Sequence, residues 1–96
     1  MTSPHVKNAR GSAITALNGS IGGGGLKGWA IRRVVAWFRR QLKKSEDLDE
    51  ISRLCDVLIS ILTYIKAASW IHSKYTEPID IALKALMELR SATVGN

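Results

Sequence analysis

Seven positive side chains, Lys27, Arg32, Arg33, Arg39, Arg40, Lys43 and Lys44, fall within residues 26–44, and no Asp or Glu interrupts them. The chemistry they suit is the holding of a polyanion. A guanidinium presents a planar fork that matches phosphate oxygens, and each neutralised phosphate releases condensed counterions. Trp29 lies in the same run and offers a flat face on which an unpaired base can stack. At helical spacing Arg32, Arg33, Arg39, Arg40, Lys43 and Lys44 spread over roughly 140°, while Ile31, Val34, Val35, Phe38 and Leu42 gather within about 100° opposite. Trp37 falls at the edge of the apolar stripe. Residues that read base edges are scarce on the basic side, and Gln41 lies nearer the apolar one. Binding is therefore expected to be of low sequence specificity.

Other chemistries find no support. The stretch GGGGLKG lacks the glycine before the lysine and the Ser or Thr after it that a phosphate loop needs, and no strand leads into it. His5 and His72 share helical spacing with no further ligands, so no metal site is expected. Cys55 lies on an apolar face, where a thiol behaves as a small hydrophobe. As the sole cysteine it excludes an internal disulfide. Glu46, Asp47, Asp49 and Glu50 sit where a helix dipole favours anions, which explains them without paired-carboxylate catalysis. Neither an enzyme nor a cofactor is expected.

The charge is divided unevenly. Residues 1–44 carry nine bases and no acid, whereas residues 45–96 carry eight acids and five bases, within a net charge of +6. Such asymmetry points to an anionic partner for the basic half. The first twenty residues lack the apolar run of a signal peptide. The most apolar segment, residues 54–71, carries Asp56 and Lys66 and reads as a buried helix rather than a membrane span. A soluble intracellular setting, cytoplasmic or nuclear, is the expectation.

The elements that must position these residues are helical. Residues 1–25, rich in Gly, Ser, Thr and Asn, read as a basic mobile arm with a joint at the four glycines 22–25. Ser3 before Pro4 permits a short helix there, with a weak stripe of Val6, Ala9, Ala13 and Leu17. Residues 26–96 read as one helical domain with helices at about 28–44, 46–73 and 77–91. Ser45 is the expected N-cap of the second of these, Thr76 and Pro78 mark the start of the third, and the tail from Ser91 is expected to fray. The fold class is thus all-α, a small three-helix bundle after the arm, with a four-helix bundle as its variant. Apolar faces wider than a surface helix needs suggest self-association, with Val57, Ile61, Tyr64, Ala68, Ile81 and Met87 as its contact residues. Trp70 and Tyr64 are expected between helices or subunits.

The best reading is a non-enzymatic binding protein that holds RNA or DNA by its phosphate backbone through Lys27, Trp29, Arg32, Arg33, Arg39, Arg40, Lys43 and Lys44. The alternative sets the same helix on an anionic membrane surface or on a protein partner, as in a small viral structural or accessory protein. The lipid reading requires Ile31, Val34, Val35, Phe38 and Leu42 to be free. The phosphate reading requires them to seal a core.

Overall fold

The computed structural model describes residues 4–17, 25–67 and 76–94, and in them the chain is all-α. Four helices follow in order: α1 (Pro4–Ala16), α2 (Gly25–Lys44), α3 (Leu48–Ala67) and α4 (Thr76–Val94). The expected extension of α3 to residue 73 lies outside the described residues, as does most of the glycine joint.

Local chemistry accounts for the ends. Pro4 opens α1, where its missing N–H is one that a helix start leaves unbonded in any case. Between α2 and α3 the chain turns over three residues. The amide of Ser45 still donates to the Gln41 carbonyl at 3.0 Å, closing the last turn of α2. Asp47 then caps α3: its Oδ1 accepts from the Asp49 amide at 3.0 Å, and its carbonyl accepts from the Ile51 amide at 3.0 Å. The expectation that Ser45 would be the cap is corrected. Ser45 is buried, and its hydroxyl makes only a long 3.4 Å hydrogen bond to the Asp47 carbonyl.

The core runs through all four helices. α3 contributes Ile51, Cys55, Leu58, Leu62 and Ile65, and α4 contributes Ile79, Ala82, Leu83, Leu86, Leu89 and Ala92. These two form the most extensive helix pair, and α1 lies on the other flank of α4. α2 meets α3 and α1 over a much smaller area. Two exposed ion pairs, Lys66 with Asp80 and Arg90 with Asp56 at 2.9 Å, tie α3 to α4.

Both terminal helices pack into the bundle. Val6 and Ala13 of α1, and Leu17 just after it, are buried in the core. The α1 stripe is weak, but α4 is apolar over more than half its circumference and needs cover on the side α3 leaves open. Arg10 adds a stitch, donating from a guanidinium nitrogen to the Ser45 carbonyl at 2.6 Å. At the other end, α4 continues to Val94 instead of fraying at Ser91. Ala92 and Thr93 are buried, and the Thr93 hydroxyl is satisfied by donating to the Arg90 carbonyl at 2.7 Å.

Candidate anion-binding face on α2

The sorting of α2 follows from which of its residues the bundle covers. Val35, Phe38 and Leu42 belong to the core, and Gly28 is buried on the same side. At 100° per residue these four fall within about 80°. Ile31 is half-buried and packs against the core. The division expected between a sealed apolar side and an open cationic side therefore holds for Val35, Phe38 and Leu42.

It fails for Val34, which is 42% exposed. α3 and α1 cover only a narrow sector of α2, and Val34 lies about 100° from Val35 around the helix, beyond their reach. Trp37, placed at the edge of the stripe, is 47% exposed. Trp29 is 51% exposed and projects on the basic side, as its position predicts.

The cations are outward-facing. Arg32, Arg33, Arg40, Lys43 and Lys44 are exposed, and Arg39 is half-buried. The side chain of Lys27 lies outside the described residues. Arg33 sets its guanidinium over the Trp29 ring, 5.0 Å from the centroid. Arg32 and Arg39 have interactions of their own. The side chains of Arg40, Lys43 and Lys44 pair with no carboxylate among the described residues, and they close the C-terminal end of the helix, where cations are favoured. Three of the acids are engaged with other groups: Asp56 and Asp80 bind Arg90 and Lys66, and Asp47 caps α3.

Sequence reasoning missed Trp37 as a surface group. The signal that would have found it is the four-residue spacing of Trp29, Arg33 and Trp37, which places all three on one ridge. Phe38 meets Trp37 edge-on, with ring centroids 5.0 Å apart and planes at 84°, so the exposed indole is held by a ring anchored in the core.

The described contact residues expected for self-association lie on two helices. Val57, Ile61 and Tyr64 share a face of α3, where Tyr64 and Val57 are exposed and Ile61 is half-buried. Ile81 and Met87 are also exposed, but six residues apart they point about 120° away from each other. Ala68 lies outside the described residues, as do Trp70, His72 and Tyr75.

The remaining features sit away from α2. An open groove of about 810 Å³ runs along α1 and α4, with His5, Lys66, Asp80, Lys84 and Glu88 among its lining residues, so its charge is mixed. No cluster of three His, Cys, Asp or Glu side chains that could hold a metal ion occurs among the described residues. None of the described helices is long and apolar enough to cross a membrane. The chain matches no protein-family model, no curated protein and no solved structure.

Proposed function

We propose that this chain is a non-enzymatic binding protein that holds nucleic acid by its phosphate backbone across the outward face of α2. One observation carries the reading: α2 commits Val35, Phe38 and Leu42 to the core, while Arg40, Lys43 and Lys44 on its outer side have no carboxylate partner among the described residues. A cation without an internal partner keeps its full attraction for an external phosphate, and binding there breaks nothing in the fold. Arg33 and, by its place in the sequence, Lys27 extend the charged track towards the start of the helix. The affinity comes from charge and counterion release, so sequence specificity is low.

The test is a titration of labelled RNA and duplex DNA at several salt concentrations. Each phosphate neutralised on a duplex contributes about 0.9 to the slope of log affinity against log salt. Arg40→Ala, Lys43→Ala and Lys44→Ala combined should lower that slope by up to about three and leave the helical content unchanged. A slope unaffected by the triple change would defeat the reading.

A second reading has an observation of its own. Trp29 and Trp37 are exposed on or beside the cationic face, and Val34 is exposed at the far edge of the apolar stripe, so the helix offers lipid some uncovered apolar surface as well as charge. Co-sedimentation with anionic vesicles in place of nucleic-acid binding would favour it. The stripe of Val57, Ile61 and Tyr64 supports a homodimer through α3. If so, Tyr64→Glu should shift the sedimentation coefficient from dimer towards monomer, and a wild-type chain that sediments as a monomer excludes it.

A further inference from the structure

We infer that the outward face of α2 takes single-stranded nucleic acid in preference to duplex, with Trp29 and Trp37 as the platforms on which unpaired bases stack. This rests on the phosphate-binding reading above and adds the class of ligand.

Two indoles about half exposed on a helix that already has a core-facing side need an account, because tryptophan is a residue that folding usually covers. Their setting is orderly. Trp29, Arg33 and Trp37 follow at four-residue intervals, so the two indoles are attached at backbone positions about 12 Å apart along the axis and about 80° apart around it. That distance exceeds one stacked step of about 3.4 Å along a strand, so the rings receive different bases. Each ring is held before any ligand arrives. The Arg33 guanidinium covers one side of Trp29, and Trp37 is braced edge-on by Phe38, whose own ring is in the core. Rings already fixed in orientation lose little freedom when a base settles on them.

Charge accompanies each ring. Arg33 lies one turn from both indoles, and Arg40 lies three residues beyond Trp37, a neighbour on the helix surface. A strand whose bases turn towards the helix carries its phosphates alongside, and these cations flank that path. A duplex can use the cations but not the indoles, because its interior base faces are covered by their own neighbours. Stacking therefore separates the two ligands, by about 5- to 150-fold in affinity for each indole used.

The experiment titrates the full chain by fluorescence anisotropy against a labelled 20-nucleotide single strand, the duplex of the same length, and phosphatidylglycerol vesicles. Wild type is compared with Trp29→Ala/Trp37→Ala and with Arg40→Ala/Lys43→Ala/Lys44→Ala. The expected result is tighter binding of the single strand by wild type. The indole variant should lose most of that preference and keep its duplex affinity within about twofold, while the cation variant weakens on both. Trp29→Leu/Trp37→Leu, which retains apolar bulk beside Phe38 but offers no flat π face, should behave like the alanine pair. Equal affinity of wild type for both nucleic acids, or equal losses on both in the indole variants, overturns the inference and leaves the phosphate reading in place. Wild-type binding to vesicles and to neither nucleic acid overturns both.

Discussion

The thiol of Cys55 has none of its residue's surface exposed and belongs to the same core as Ile51, Leu58 and Leu62. Burial, reinforced by the neighbouring Asp56 carboxylate and opposed by Arg90, pushes its pKa from the ordinary 9.0 up to about 12. At neutral pH the group is a protonated hydrophobe with no thiolate to react. A disulfide reagent at about pH 8 should therefore find no accessible thiol in the folded chain and one full equivalent once urea is added. The alkaline consequence has a definite sign. Above about pH 9 the unfolded chain releases this proton while the folded chain keeps it until about pH 12, so folding loses stability as pH rises through that window. Between about pH 8 and pH 10 the wild type should lose on the order of 1 kcal/mol more than Cys55→Ala does, read from urea unfolding at each pH. At this scale the sequence was informative: an apolar helical face around position 55 already argued for an inert thiol. The cap was less legible, because SEDLDE offers three side chains able to cap, Ser45, Asp47 and Asp49, within five positions. The choice of Asp47 over Ser45 depends on where α2 stops, which follows from its packing.

At the scale of the helices, α1 separates what pattern can show from what packing adds. α2, α3 and α4 each carry a stripe strong enough to be read directly, since Phe38, Leu58 or Leu86 turned outward would leave an obvious defect. α1 fully buries only Val6 and Ala13, with Ala9, Ile14 and Ala16 partly covered and Leu17 buried just beyond its end, and with Gly11 and Ser12 in its middle it is by propensity alone a poor helix. It forms because α4 presents apolar surface on a second side, a tertiary fact with no local signature. The exposure of Val34 and Trp37 escaped reading for the related reason that a 100° stripe does not reveal which of its edges a neighbour will cover. Gly11 tests the helical state of α1 directly. It is exposed, and a Cβ built there meets no atom within 4 Å. Gly11→Ala should then stabilise the chain by about 0.5–1 kcal/mol, because alanine gives up less backbone freedom on entering a helix. The measurement is the urea midpoint, with unchanged steepness. A mobile arm at residues 4–17 would show no shift, since a substitution in a segment unfolded in both states cancels.

For the whole molecule, the placement of charge separates what holds the fold from what the fold presents. Stability rests on a continuous apolar core through four helices. Of the ion pairs that join elements, Lys66–Asp80 and Arg90–Asp56 are both about half exposed. Pairs of that kind contribute about 0–1 kcal/mol each and are screened by salt. Salt also relieves the self-repulsion of a chain with a net charge of +6. These two effects oppose each other, so raising salt from about 50 mM to 200 mM should move the urea midpoint little. The α2 face behaves differently. Under the proposed function Arg40, Lys43 and Lys44, which have no carboxylate partner among the described residues, act on an external polyanion, and Arg33 and Lys27 extend the charged track. Contacts with about six phosphates would weaken binding about a thousandfold over the same range. The expected outcome is a steep fall in nucleic-acid affinity beside a nearly flat stability curve, recorded on one preparation by anisotropy and by urea unfolding. If stability fell in parallel with binding, the α2 cations would be engaged in holding the bundle together, and a phosphate could reach them only by competing with the fold.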